Sequence, residues 1–267
     1  MPYTPGQGKT AVALFVDGLE LKFVQLSVKK NKVTLRDFKT VALVKKFEEK
    51  GAIAGPEEVG GLEDLTAGES FAEPTVSAEM TERGEQTNAS VLLSVLSDLP
   101  SSKYTLSYAL SEPAVTYQEF ESDFGLKGTK LKKHVAQELS AMRSAAPSID
   151  ALDFIPTAPG GILGIVREDG LHLYDLLYEI KPFIGNRAPK IELIDSADIA
   201  LISLVRSSYE IQDEEVTVLV YVGNDFSRLI FMQGKSYLHF APIISEGYGS
   251  SNIENTIYSR ILLEQDN

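Results

Sequence analysis

At 267 residues the chain is long enough to bury a sizeable core in one or two domains, and its 43% apolar and 24% charged content is that of an ordinary globular protein. A formal net charge of −13 opposes phosphate backbones and anionic lipid surfaces, so nucleic acid is not an expected partner; the lysine runs at 29–32 and 127–133 read as solvated faces. The chain has no Cys, which removes disulfides, thiolate metal sites and thiol nucleophiles, and fits a cytoplasmic protein.

No apolar run approaches the roughly 20 residues of a membrane-spanning helix. The opening MPYTPGQGKT lacks the apolar core of a signal peptide. The expectation is a soluble, cytoplasmic chain with no direct membrane insertion.

Runs rich in Val, Phe and Leu at 11–17, 19–27 and 32–44, broken at Asp17-Gly18 and at 29–31, predict a meander of antiparallel strands. Between 46 and 87 the sequence holds eleven Asp/Glu against three Lys/Arg, with scattered Gly and Pro. So little apolar surface cannot offset ordering entropy, which predicts a flexible acidic insertion. Helical spacing resumes over 89–99 with Asn88 as its N-cap, followed by an alternating strand at Tyr104–Leu110 and another at 114–120. The stretch 127–144 reads as a helix with Leu131, Val135, Leu139 and Met142 on one face. Strands at 152–157 and Ile162–Arg167 flank the turn Ala158-Pro159-Gly160-Gly161. A helix at 171–184, a strand at 190–194 and a helix at 197–209 capped by Ser196 follow. Strands at Val216–Val222, 226–232 and 235–243 then form a second meander, and 250–264 reads as a helix. The chain is therefore a partial duplication.

The turn after the strand "LVYV" is Gly223-Asn224-Asp225, and the matching turn in the first meander is Asp17-Gly18. Each has a plain reading as a hairpin, with Asp-Gly favoured in a type I′ turn, and a second reading as a backbone cradle for phosphate. The sequence GQGKT at 6–10 is no Walker A loop, because the required upstream glycine position is Tyr3 and no strand precedes it. His134, His172 and His239 fall on separate elements and read as surface or packing residues. No catalytic constellation stands out.

The ordered series "LFVDGLELKFVQLS", "YALSEPAVTYQEFESDFGLKGTKLKKHVAQEL", "GILGIVREDGLHLYDLLYEI", "IELIDSADIALISLV" and "LVYVGNDFSRLIFMQGKSYLHFAPIISEG" resembles the actin-like, ribonuclease-H-like ATPase superfamily. Within it, the series resembles the PilM/GspL family of type IV pilus assembly and type II secretion proteins. The resemblance implies an α/β duplicated fold with mixed sheets. A first half would span 1–210 and carry a small inserted α+β subdomain at about 113–169. An incomplete second half would span 211–267, with the adenosine-binding turn beyond Asn267 and the chain a fragment of a longer polypeptide.

In that superfamily Asp-x-Gly turns of the two halves face each other across ATP and Mg²⁺. Here Asp is followed directly by Gly, the chain is short before Lys22, and Tyr221 stands at the second Asp position. Asp225 replaces it only if the strand register slips. The resemblance therefore implies a non-catalytic cytoplasmic scaffold that reaches the inner membrane through a partner. It would bind the cytoplasmic tail of an inner-membrane pilus or secretion protein in a groove walled by Tyr104–Leu110 and the 114–167 region, with a homo-oligomer as a further possibility. The alternative is a nucleotide-binding ATPase with diverged turns, in which Asp17, Gly18, Lys22, Gly223, Asn224 and Asp225 contact phosphate and Mg²⁺.

Overall fold

The protein is described by a computed structural model covering residues 10–30, 32–47, 86–99, 104–112, 114–143, 147–157, 160–168, 171–185 and 188–265. Apart from its two ends, the acidic stretch 46–87 lies outside these residues, as do residues 6–9 of GQGKT and the Ala158-Pro159 half of the predicted turn.

The strands in chain order are β1 (Thr10–Asp17), β2 (Glu20–Lys29), β3 (Lys32–Ala42), β4 (Tyr104–Leu110), β5 (Val115–Phe120), β6 (Leu152–Pro156), β7 (Ile162–Arg167), β8 (Lys190–Ser196), β9 (Val216–Val222), β10 (Ser227–Gln233) and β11 (Ser236–Phe240). The helices are α1 (Asn88–Ser97), α2 (Gly128–Met142), α3 (His172–Ile184), α4 (Ala197–Ser208) and α5 (Ile253–Gln265). They build sheets in the orders β3-β2-β1-β4-β8, β11-β10-β9 and β5-β7-β6. Mixed sheets, a meander opening each half and a small inserted sheet give the actin-like, ribonuclease-H-like α/β fold.

In the first sheet β4 runs parallel to β1 on one side and to β8 on the other. Alternation puts Val12, Leu14, Leu21, Phe23 and Leu106 on one face, buried against α1 and α3. The small sheet has α2 on one face, where Leu131, Val135 and Leu139 meet Phe120 and Ile162. Its other face, with Leu163, joins Ile202 of α4 and Ile230, Met232, Tyr237 and Phe240 of the second meander in a shared core. All six residues from Ser227 to Met232 are buried, because α5 covers one face of β10 and this shared core covers the other.

Several details depart from the sequence reading. The N-cap of α1 is Thr87, in a reciprocal capping box with Ser90. Asn88 is instead the first helical residue; its side-chain carbonyl accepts from the N–H groups of Val44 (2.8 Å) and Lys45 (3.2 Å), and its amide donates to the Lys45 carbonyl. Met142 is exposed, because α2 ends where the core beneath it ends. Strand β4 is interior, with both edges paired, so it cannot offer free backbone to a groove. Ser196 does cap α4, accepting from the Ile199 N–H.

Candidate functional site

The first turn is set by the pairing of Asp17 with Glu20, which leaves Gly18-Leu19 as a two-residue loop. Gly18 has φ +61° and Leu19 has no positive φ, the pattern of a type II′ turn with Gly first, in place of the expected Asp-Gly type I′ turn. In the second turn Val222 pairs with Ser227 and the Gly223 N–H donates to the Phe226 carbonyl at 2.9 Å. The ladder from Val216 to Val222 is regular, so no register slip occurs. Asp225 stays at the loop tip, where it pairs with Lys46 at 2.6 Å.

These turns meet directly. Asp17, at the end of β1, is 1% exposed. Its Oδ1 accepts the Asn224 backbone N–H at 2.9 Å, while Oδ2 accepts from Lys22 Nζ at 2.5 Å and from the Tyr221 hydroxyl at 2.8 Å. The Asn224 side-chain amide also donates to the Asp17 carbonyl at 2.9 Å. The close approach requires glycine on both sides. A Cβ on Gly18 would lie 2.9 Å from Asp225 Oδ2, and one on Gly223 would lie 2.9 Å from Asp17 Oδ1.

Behind the second turn, the Tyr248 N–H donates to the Gly223 carbonyl at 2.9 Å, and a Cβ on Gly247 would fall 2.0 Å from the Asn224 carbonyl oxygen. Segment 244–250 thus buttresses the turn from the far side.

Burial alone would raise the Asp17 pKa. The hydrogen bonds from Lys22, Asn224 and Tyr221 outweigh it and hold the carboxyl below its ordinary value. Burial, and then the bond to Asp17, push the Tyr221 phenol well above its ordinary value, so it stays a donor.

All of the sequence-derived positions, Asp17, Gly18, Lys22, Gly223, Asn224 and Asp225, therefore come together. The contributions of Tyr221, Lys46, Gly247 and Tyr248 to this contact were not foreseen. The one available signal was a hydrogen-bond donor, Tyr221, standing in the second half where the first half has Asp17.

Chemically, the Asn224 N–H and the Lys22 ammonium are the groups a phosphate would use, and the Asp17 carboxylate already occupies both. Both oxygens that could face Mg²⁺ are engaged by donors. As arranged, these residues do not fit a nucleotide phosphate with its metal. Among the described residues, no group of three or more His, Cys, Asp or Glu is placed to hold a metal ion.

A second polar cluster lies deeper. Arg228 of β10 is buried, with Nη1 3.2 Å from Glu112 Oε2 and 3.1 Å from the Ala241 carbonyl oxygen, and Nε 3.5 Å from Asp198 Oδ2. Its guanidinium lies 4.6 Å from the Phe240 ring centroid and 5.5 Å from that of Tyr117. Burial raises the pKa values of Asp198 and Glu112, and the arginine charge opposes that rise. The cluster joins residues of the small sheet, α4 and the second meander. Of the histidines, His172 stacks on Phe47, His134 lies beside Phe124, and His239 sits between Glu119 (3.4 Å) and Glu264 (3.3 Å).

No protein-family model matches the sequence, and no curated protein matches it. Among solved structures, the chain is similar to one in a PilM-PilN type IV pilus biogenesis complex, with 14% identity, a TM-score of 0.52, and coverage of 89% of this chain and 62% of that one. The chain thus spans less than two thirds of that protein's length. It also resembles a Bacteroides thetaiotaomicron protein of actin-like ATPase fold and unknown function (8% identity, TM-score 0.48, 97% and 78% covered). A further similarity is to the cytoplasmic domain of EpsL, an inner-membrane component of the Vibrio cholerae type II secretion system (8% identity, TM-score 0.43, 85% and 69% covered). The last two superpose too loosely to carry an argument. The first agrees with the topology in assigning the fold of the actin-like ATPase superfamily. Among the described residues no helix is long and apolar enough to cross a membrane.

Proposed function

We propose that the chain is a non-catalytic actin-like scaffold of a pilus-assembly or type II secretion machine. It works in the cytoplasm and reaches the inner membrane by binding the cytoplasmic tail of an inner-membrane partner. The observation that carries the non-catalytic reading is the Asp17 clasp: an internal carboxylate holds the donors that would otherwise receive phosphate. An ATPase needs those donors, and the carboxylate, free for its substrate.

For the tail, an extended peptide needs apolar footing and unpaired polar groups. With β4 interior, that footing shifts to the solvent face of α3, which packs on α1 and the first sheet. There Tyr174 and Tyr178 are exposed one turn apart on α3.

The test is calorimetric titration of Mg-ATP into the wild-type chain and Asp17→Ala. No heat of binding to the wild type is expected. Micromolar binding that Asp17→Ala abolishes would sink the scaffold reading in favour of the ATPase. The tail is tested by anisotropy with labelled cytoplasmic-tail peptides of inner-membrane pilus and secretion proteins. Binding weakened about tenfold by Tyr178→Ala, an effect of roughly 1.4 kcal/mol, supports the α3 footing.

A further inference from the structure

The hydrophobic cores do not divide where the repeat does. One gathers side chains of β1, β2, β4, α1 and α3, with Val41 of β3 and Ile191 and Ile194 of β8 packed against it. The other three hold only residues 117–166 and 199–261. Thus α4, which follows β8 in the first half, turns Ile199, Leu201, Ile202 and Val205 into the core shared with the second meander. The small sheet is likewise inserted in the first half but built onto the second. Thr157, just after β6, pairs with Tyr237 of β11, whose hydroxyl donates to Glu119 of β5.

The bonds that cross between these two sets lie at one end of the first sheet. The clasp joins β1 to the second turn, and Lys46, beyond β3, pairs with Asp225. Arg228 pairs with Glu112 just after β4, and the Tyr117 and Ser196 hydroxyls meet at 2.5 Å at the end of β8. Phe15 adds a ring edge against Tyr221, with centroids 6.2 Å apart. Interdigitated apolar cores resist sliding, whereas a polar boundary between two such bodies is where relative motion occurs.

We propose that the small sheet, α2 and α4 move with the second meander as one body against the first sheet, α1 and α3, and that the Asp17 clasp is the latch between the two. The chain crosses from one body to the other at β4 to β5, β7 to α3 and β8 to α4. The crossings after β4 and β8, each flanked by a polar bond, are the pivot. Because β1, β4 and β8 run parallel, Asp17 ends β1 at that same end of the sheet, one strand beyond β4 and two beyond β8. At about 4.8 Å per strand, the clasp stands roughly 10 Å from the β8 crossing. Opening it leaves every crossing intact and frees rotation about them, carrying the small sheet away from or toward the first sheet. The division of the cores holds whether or not α3 receives a tail.

The chain has no Cys, so spin labels can be placed in pairs through Thr34→Cys on β3, Gln137→Cys on α2 and Lys235→Cys between β10 and β11, all exposed positions. Double electron–electron resonance then reads the three distances in the 267-residue chain with and without Asp17→Ala. Asp17→Ala is expected to shift or broaden the Thr34/Gln137 and Thr34/Lys235 distributions and to leave Gln137/Lys235 as in the wild type. Folding is checked by circular dichroism. Asp17→Asn, which keeps the shape of the side chain and removes its charge, takes the place of Asp17→Ala if that variant fails to fold, with the same expectations. A shift in Gln137/Lys235 while Thr34/Gln137 stays fixed returns the small sheet to the first half and overturns the proposal. Changes in all three pairs break up the moving body and overturn it as well. Three unchanged pairs in the folded variant leave the clasp no latching role, which also overturns it.

Discussion

Removing the carboxylate at position 17 would strand the Lys22 ammonium and the Asn224 N–H in a largely buried contact. Asp17→Ala is therefore expected to lower the unfolding free energy by about 3 kcal/mol, read as a lower urea midpoint at unchanged slope. The pH dependence follows from the depressed pKa. The clasp contributes fully above the unfolded-state value of about 3.8, and its contribution is lost as pH falls through the lower folded value. Wild type should thus lose stability in that acid window, and Asp17→Asn should lose less of its own there. Gly247→Ala would drive a methyl into the Asn224 carbonyl, with no side chain able to yield. Its expected cost is about 3 kcal/mol or more, seen in the same urea series. Asp17, Gly18 and Gly223 were legible because turn chemistry is local. The bond from Tyr221 to Asp17 was not, because it spans 204 residues of sequence and exists only once the halves approach.

At the scale of elements, the Arg228 cluster ties β10 to α4, the end of β4 and the small sheet. In sequence, "FSRLIF" suggests an arginine alternating outward from a strand. The residue is buried because β10 is covered on both faces, a tertiary circumstance that no local pattern records. Arg228→Ala should leave the buried Asp198 and the half-buried Glu112 without their counter-charge and cost about 3 kcal/mol in urea unfolding. The raised pKa values of Glu112 and Asp198 have the opposite sign to that of Asp17. Their neutral forms favour the folded state at low pH, and that benefit fades as pH rises through the folded values. Truncating the α1 cap, Thr87→Ala, should cost about 1 kcal/mol in the same assay. The strand and helix succession was readable throughout, since alternation and helical spacing arise from burial on one face. The cap of α1 moved by one residue because the amide of Asn88 finds a better partner in the backbone of 44–45 than in its own helix.

Across the whole molecule, the clasp, the Arg228 cluster and the shared core fasten the second meander to the first half at separate places. Unfolding followed by far-UV circular dichroism and by tyrosine fluorescence is expected to give coincident transitions in the wild type. The two signals should separate in the Asp17→Ala/Arg228→Ala double variant if those fastenings enforce cooperativity. The duplicated architecture was legible as a repeated meander. The contact between its two turns was not, since the same residues would read alike whether the halves stood apart or touched. Asn88 carries one more implication. Its amide grips the chain at 44–45 while its helix begins at 88, so the long acidic stretch departs and returns beside a single side chain. Exchanging residues 48–85 for a linker of about six Gly and Ser should keep the melting temperature or raise it slightly, because loop closure costs only about 0.6 kcal/mol per doubling of length. That clip fixes where the chain leaves the strand and where it enters the helix, so both ends of any segment exchanged for 48–85 are held at one place.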